Sequence, residues 1–507
     1  MSTPRVATGV TTRRIMGVVA GLAVVAATFA FGARYGADEV RARDVWADGR
    51  LLSTAIDSVR ANALDSLPSD ELIRRAVSGM LRELQDPYAA LLRPDGFRKY
   101  RGSLLGESQG LGMSLRLQGT NLSVRRVAAG SPAAAAGVRR GDRILTWNGV
   151  PADDPRLRSG ADSSQVQGDH TDLLLLRSPV GDSVRVTVHR ATWHTPAVTE
   201  WGLVDDSVGY VRIASISQRV ADETEEVVVD LTRRGARSLI IDLRGNNGGL
   251  FEEGVKVAGL FLPPNALVAS LAGRGGVDAQ QYRVKQSRWP TLPLTLLVDA
   301  GTASSAEVIA AALREHGRAL LVGAPTYGKG VVQRVVRLSP ELSLRLTTAR
   351  WLTPTGRSLE RREGPGRTFS GGLRPDVLLA DAGWRDPSGV PRTWTNPVVG
   401  HAVEAVDSVT SEAIRDEWSV SPVPMLEERF RLRLASQSPR RGGDEWLAVA
   451  TRLATVRFLE LRGQSEALLR YAGRHDAAMR TGLELLAPAR AAVSVLSTPR
   501  TPARSAR

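Results

Sequence analysis

The chain predicts an α/β protein with a β domain set ahead of its core, on three observations. From Val208 to Val322, apolar runs of strand length alternate with amphipathic stretches of helix length. From about Arg101 to Arg190 the pattern is instead short β-like runs punctuated by glycine. Before and after these regions the apolar residues recur at helical spacing. A length of 507 residues allows roughly three domains, each able to bury its own core.

The N-terminus carries the first element. Ile15 to Ala33 is a run of 19 residues without a charge, about 28 Å as a helix against a hydrocarbon core of about 30 Å. Arg5, Arg13 and Arg14 precede it and favour an N-inside start, whereas Arg34, Arg41 and Arg43 follow closely and weaken the bias. The small residues around Ala30 and Ala33 keep a cleaved signal peptide open, and Thr12-Arg13-Arg14 is a weak twin-arginine signal. The expectation is a signal anchor or signal peptide over 1–36. The bulk of the chain would then lie on the exported side of the cell envelope, tethered to the inner membrane or released from it. Over 37–100, Leu52, Ile56 and Val59, then Leu72, Ile73, Val77, Met80, Leu81 and Leu84, predict a helical lead-in, with Ser69-Asp70 as the cap of the second helix.

Strands are predicted at Gly110 to Leu115, Leu122 to Val124, Arg143 to Trp147 and Val184 to Val188, with Gly130-Ser131-Pro132-Ala133 leading into a short alanine helix. Together they make a compact β domain over 101–192. In the next region, 193–382, strands at Val208 to Ile213, Ser238 to Leu243, Leu294 to Val298 and Ala319 to Val322 are separated by helices at Gln218 to Arg234, Leu250 to Leu262 and Ser304 to His316. Such alternation predicts a parallel sheet with crossover helices. Val331 to Leu338 and Leu342 to Leu352 read as its antiparallel continuation. The remainder, 383–507, passes from Pro/Arg-rich loop into amphipathic helix over Glu427 to Leu486 and ends in a tail of disordered composition.

Composition narrows the chemistry. With no cysteine there is no disulfide, thiolate zinc site or cysteine nucleophile. The six histidines are scattered and lack metal-ligand spacing, which argues against a metalloenzyme and a Ser-His-Asp hydrolase. The net charge of +14 comes from dispersed arginines with no dense basic run or aromatic ladder, so nucleic acid is not the expected partner. Neither a metal nor an organic cofactor is implied.

Against that arginine-rich background one lysine stands out. Lys329 is one of four lysines among 67 basic residues and sits between glycines in Thr326-Tyr327-Gly328-Lys329-Gly330. Arginine is never deprotonated in proteins, whereas a buried lysine can lose its proton and act as a general base. That role needs its pKa to fall from about 10.4 to about 7–8, roughly 4 kcal/mol of disfavoured charge. No acid lies between Gly317 and Pro340 in sequence, and Gln333, four residues on, could orient the amine without recharging it.

The partner lies 25 residues upstream, where a buried strand (Leu294 to Val298) is followed by Asp299 to Ala303 and the helix that begins around Ser304. A serine at a helix N-terminus meets unpaired N–H groups and a dipole that favour developing negative charge; taken alone it would be an ordinary N-cap. Asp242 to Gly249 supplies a second strand-to-helix turn, whose glycine N–H groups could face a developing oxyanion. Neither a Gly-x-Gly-x-x-Gly nor a phosphate-loop pattern occurs there.

On Asp242-Leu243-Arg244-x-Asn246-x-Gly248-Gly249, Gly301-Thr302-Ala303-Ser304 through Glu307, Thr326 to Gly330 with Gln333, and Gly372-Leu373-Arg374-Pro375-Asp376, in this order, the chain resembles the C-terminal processing peptidases, tail-specific proteases with a Ser/Lys dyad and a PDZ domain. The similarity covers about Asp70 to Val377. It implies a crotonase-like α/β protease core with an inserted PDZ domain, a helical lead-in and a helical C-terminal extension. It also implies Ser304 as nucleophile, Lys329 as base and Gln333 as the residue positioning the lysine. Ser305 and one of Gly248 and Gly249 would supply the oxyanion hole. One departure is Ser304-Ser305-Ala306-Glu307, where the family often has Ser-Ala-Ser-Glu; the register of Gly-Thr-Ala-Ser and the step to lysine select Ser304. In the PDZ domain, Gly110-Leu111-Gly112-Met113 would be the loop that captures a terminal carboxylate, with Leu111 and Met113 lining the side-chain pocket. The implied partners are proteins or peptides with exposed C-terminal tails, the membrane through the N-terminal segment, and further copies of the chain. Two rivals are a PDZ scaffold on an inactive protease fold and an acyl-transfer enzyme on a related fold. The first predicts damage to the Ser/Lys/Gln set, and the second needs a phosphate site that the sequence does not offer.

Overall fold

In the computed structural model, residues 49–497 are described apart from 66, 119–120, 155–167, 178–181, 275–279, 364–368, 380–396, 421 and 438–442. The apolar segment 15–33 and the C-terminal tail lie outside these residues. No described helix is long and apolar enough to cross a membrane. The chain divides at Leu91 and Leu92 into two units. The first contains helices over 49–62 and Ser69–Glu83. Ser69 and Asp70 lie inside the first turn of the second helix, and Pro68 holds the cap position without a side-chain hydrogen bond, which corrects the expected cap.

The second unit opens with α1 (Pro94–Leu105) and β1 (Glu107–Gly110). The β domain follows, with β2 (Met113–Gln118), β3 (Asn121–Val127), the short α2 (Pro132–Ala135), β4 (Arg143–Trp147), β5 (His170–Leu176) and β6 (Ser183–His189). All its strand pairs are antiparallel, around a core that includes Leu122, Val124, Ile144, Trp147, Leu173 and Leu175. The chain leaves along β7 (Ala191–His194), which pairs with β1, so one two-stranded ribbon carries it into and out of the domain.

The main sheet runs in the order β8 (Val198–Asp205), β9 (Val208–Ile213), β10 (Ser238–Asp242), β13 (Leu294–Val298), β14 (Ala319–Gly323), β17 (Val377–Leu378); only the β8–β9 pair is antiparallel. Every residue of β9, β10 and β13 is buried, as expected of parallel strands covered on both faces. Val211, Ile213, Leu239, Ile241, Leu296 and Val298 join one core with α3 (Val220–Arg233), α4 (Phe251–Phe261) and α5 (Ser305–Glu315). The alternate residues Val208, Tyr210, Ile240, Leu297 and Val322 join another with α9 (Ser465–His475) and α10 (Ala477–Ser497). The C-terminal extension is therefore the second cover of the sheet. Its preceding helices α6 (Pro397–Arg415), α7 (Val423–Gln437) and α8 (Gly443–Leu461) bury Trp418, Phe430, Trp446 and Phe458 among themselves. Through an Arg140–Glu460 ion pair, α8 also touches the β domain.

The expected continuation of the main sheet after Lys329 is corrected here. β15 (Val331–Arg337) and β16 (Ser343–Leu352) are antiparallel, but they belong to a separate sheet with β11 (Leu267–Ala272) and β12 (Gln280–Arg283). The edge of the main sheet beyond β14 is closed by Val377–Leu378 instead.

Ending the chain at Gln464 removes the cover of Val208, Tyr210, Ile240, Leu297 and Val322. Each such side chain costs about 1.5–3 kcal/mol when exposed, against a total stability of about 5–15 kcal/mol. The expected outcome is loss of cooperative urea unfolding together with strong binding of an apolar dye.

Candidate active site

Three segments meet at the carboxyl ends of β10, β13 and β14, and Glu307 joins two of them. It lies in the first turn of α5 and is fully buried. Its Oε2 accepts from the N–H of Ser304 (2.9 Å) and of Lys329 (2.8 Å), and its Oε1 from the Thr326 hydroxyl (2.5 Å) and the Gly328 N–H (2.8 Å). One carboxylate thus fixes the backbone of both candidate reactive residues. Burial pushes its pKa up, against lowering by these four hydrogen bonds.

Ser304 precedes α5 with φ 57° and ψ −124°, a backbone conformation that a residue with a Cβ rarely adopts. The Glu307 N–H goes to the Ser304 carbonyl at 2.8 Å. Ser304 is half-buried, whereas the Ser305 hydroxyl is buried without a hydrogen-bond partner among the described residues. A Cβ on Gly254 of α4 would stand 3.0 Å from the Ser305 Cβ, so Ser305 packs against that helix. The two adjacent serines are therefore not equivalent, and Ser304 is the more accessible.

Lys329 is half-buried, and its Nζ donates to Gln333 Oε1 at 3.0 Å. Its carbonyl accepts from the Trp351 Nε1–H at 2.9 Å, and the Trp351 N–H goes to the Gly330 carbonyl at 3.0 Å. Both flanking glycines are sterically required. A Cβ on Gly328 would meet Gly372 N and Leu359 O at 2.8 Å, and one on Gly330 would meet Glu360 N at 2.7 Å.

The third segment is the loop after β10. A Cβ on Gly248 would lie 2.8 Å from the Ser304 Cβ and 3.0 Å from Ser305 N, so this backbone abuts the serine. The Gly248 N–H, however, donates to Asn246 Oδ1 at 2.9 Å. Of the two glycines it is Gly249 whose N–H has no acceptor among the described residues, and the same holds for the Ser305 N–H. The loop is tied to the serine turn by Asp299, whose Oδ1 accepts from the N–H groups of Gly245 (2.8 Å) and Gly301 (2.9 Å). The Thr302 hydroxyl donates to the Leu243 carbonyl at 2.9 Å, and Ala303 N–H to the Asn246 carbonyl at 2.9 Å. Such a site offers a hydroxyl, an amine and two backbone donors to a carbonyl group.

Sequence reasoning gave Glu307, Thr326, Asp299 and Thr302 no role, although the first two and Thr302 stand inside its motifs. A glutamate three residues after an N-terminal serine is a capping signal that could have flagged Glu307.

The proposed peptide loop is placed differently from the expectation. Leu111 and Met113 are 1% and 7% exposed, within the β domain's own core. The reason is the packing of α2 beneath the loop. Ala133 N–H bonds the Leu111 carbonyl (2.9 Å), the Ser131 hydroxyl bonds the Gly112 carbonyl (3.2 Å), and a Cβ on Gly112 would stand 2.1 Å from that of Ser131. Gly110 ends β1, paired with Ala191.

A family model described as Peptidase family S41 matches residues 207–379, and one described as PDZ domain matches 123–190. The chain is 32% identical over 311 residues to a carboxyl-terminal-processing protease of Picosynechococcus sp., covering 60% of this chain and 72% of that one. It is 30% identical over 333 residues to a chloroplastic C-terminal processing peptidase of Tetradesmus obliquus, covering 62% and 68%. Identity to the carboxy-terminal processing protease CtpA of Bacillus subtilis is 27% over 328 residues, covering 64% and 68%. Among solved structures, a photosystem II D1 C-terminal processing protease is similar at 29% identity and a TM-score of 0.38, over 64% of this chain and 86% of that one.

Replacing Glu307 by Gln puts an amide NH2 against N–H donors that now share a carboxylate. The expected result is a loss in kcat of about 10²-fold from misplacement of the reacting groups, with KM nearly unchanged, read by steady-state hydrolysis of an unfolded protein.

Proposed function

The chain belongs to the carboxyl-terminal processing proteases of peptidase family S41 and is a serine peptidase; on that premise we propose that Ser304 is its nucleophile, Lys329 its general base and Gln333 the residue that holds the lysine. The observation that carries this reading is the shared Glu307 oxygen, which brings the Ser304 and Lys329 backbones to one point while Gln333 Oε1 accepts a hydrogen bond from the amine. An uncharged Lys329 donates one N–H to Gln333 and keeps its lone pair for the serine proton. Ser304 Oγ attacks the scissile carbonyl carbon as its proton passes to Nζ. The oxyanion is met by the N–H groups of Gly249 and Ser305. Collapse expels the amine, which takes the proton back from Lys329, and leaves an acyl-enzyme. Water, activated by the same lysine, then releases the acid and restores the serine.

The PDZ domain supports recognition of substrates by their C-terminal tails, by addition of the tail as a strand and capture of its carboxylate on backbone N–H groups. Gly110 to Met113 contributes backbone rather than side chains to that capture in our reading. Five consecutive parallel strands, the first four joined through α3, α4 and α5, support a crotonase-like core. The uncharged stretch 15–33 supports export and tethering to the inner membrane, with the catalytic core outside the cytoplasm. The scaffold reading is not favoured, because Ser304, Lys329 and Gln333 are all present and joined by one hydrogen-bond network.

Arginine at position 329 preserves the charge but cannot act as a base. Lys329→Arg is therefore expected to be as inactive as Ser304→Ala, about 10²–10⁴-fold below wild type in kcat, on an unfolded protein substrate; activity in either variant near the wild-type rate would refute the dyad. Amidating the substrate's C-terminus is expected to raise KM about tenfold, the equivalent of one lost charged contact of about 1.4 kcal/mol, with kcat held, as measured on a matched peptide pair.

A further inference from the structure

We infer that Asp476, in the C-terminal helical extension, is a positioning residue for the oxyanion loop, so that the extension completes the active site through one buried ion pair. The inference rests on the reading of Gly249 and Ser305 as the oxyanion donors. Asp476 lies well outside the residues matched by the peptidase model, which end at 379.

Arg244 stands in the loop between β10 and the two glycines and is 2% exposed. Its guanidinium is gripped at both ends. Nε and Nη2 donate to Asp242 Oδ1 (3.0 Å) and Oδ2 (2.7 Å), and Nη1 donates to Asp476 Oδ2 (2.8 Å) and Oδ1 (3.1 Å). Both aspartates are buried as well. Asp476 is itself fixed, since its Oδ1 caps α10 by accepting from the N–H groups of Ala478 (2.9 Å) and Met479 (3.1 Å). Gly482 of that helix approaches so closely that an added Cβ would lie 3.2 Å from Ile240 of β10. A carboxylate anchored on the sheet thus holds the arginine of the catalytic loop.

Charge makes the contact consequential. Asp242 is shared, because Arg212 Nη1 stands 3.5 Å from its Oδ2 and the Tyr210 hydroxyl donates to the same oxygen at 2.8 Å. Without Asp476 the buried Arg244 would have to rely on a carboxylate already in use, and a desolvated cation short of a partner moves to find one. The backbone would move with it. The Arg244 carbonyl accepts from Arg212 Nη2 (3.2 Å), the Gly245 N–H is bonded to Asp299, and Asn246, next along, orders Gly248. A small displacement here reaches donors that must stand about 2.7–3.1 Å from the oxyanion.

The test uses the full chain and the variant Asp476→Asn. Asparagine caps a helix about as well as aspartate, so α10 keeps its N-terminus while the ion pair to Arg244 is lost. The expected result is a fall in kcat of about 10²-fold with KM changed less than about threefold. Inhibition by a peptidyl boronate, whose tetrahedral adduct needs the oxyanion donors, should weaken about tenfold or more. Met479→Ala, which thins the packing of the same helix on Ile240 and Leu297, should keep kcat within about threefold. The inference is overturned if Asp476→Asn retains wild-type kcat, if Met479→Ala loses as much, or if kcat falls while boronate binding is unmoved. Ser304→Ala, run in parallel, tests the underlying reading separately; hydrolysis surviving in that variant overturns both.

Discussion

A buried carboxylate acting as a shared acceptor is the interaction on which the site depends. Glu307 receives three backbone N–H groups and one hydroxyl, from segments that are 19 to 22 residues away or adjacent in its own turn. Removing an ion from water is expensive unless its lone pairs are met, and here oriented dipoles meet them. The Thr326 hydroxyl also accepts from the Leu373 N–H at 2.7 Å, which ties the Gly-Leu-Arg-Pro-Asp segment to the same centre. Such an arrangement is rigid because giving up any one bond leaves a buried polar group unpaired. Rigidity is what the proposed Ser304/Lys329 pair needs, since it has no third ionisable member to correct its geometry.

Placement also requires a sheet that does not flex, and that follows from covering it twice. Of the strands carrying the three loops, β10 and β13 are buried along their whole length and β14 at all but Leu320, with α3, α4 and α5 on one face and α9 and α10 on the other. The extension is part of the core's construction rather than an appendage, because residues alternating along β9, β10 and β13 divide between the two covers. Its contact with the β domain through Arg140 and Glu460 adds a second attachment.

The parts legible in the sequence were those with a local signature. Val208 to Ile213 and Leu294 to Val298 are strands with the predicted bounds, because unbroken apolar runs of that length admit little else. Lys329 stood out by its glycine flanks and by residue type against an arginine-rich background, and the structure places its backbone and that of Ser304 on one Glu307 oxygen. What was not legible depends on partners distant in the chain. β11 and β12 were missed because Leu267 to Ala272 and Gln280 to Arg283 are short, and the pairing of β11 with β12 on one side and β16 on the other is set by tertiary contact. The burial of Leu111 and Met113 in the β domain's core depends on α2, which packs beneath them and is distant in pattern from their own loop. The division between the Gly248 and Gly249 N–H groups turned on the Asn246 side chain, and no spacing rule reports which donor such a side chain occupies.

The positions of the candidate site residues also explain how groups so far apart in sequence can be assembled without a specialised fold. In a parallel sheet all carboxyl ends lie on one side, so the loops leaving neighbouring strands open into a common crevice. β10, β13 and β14 are adjacent, and they deliver in turn the glycine loop, the serine turn and, six residues after Gly323, the lysine. Two of these loops touch directly, as a Cβ on Gly301 would lie 2.9 Å from the Gly245 Cα. The third is drawn in by Tyr327, whose N–H bonds the Thr302 carbonyl at 3.0 Å, and by Glu307. Strand order therefore fixes which groups meet, and the hydrogen bonds between the loops fix how closely.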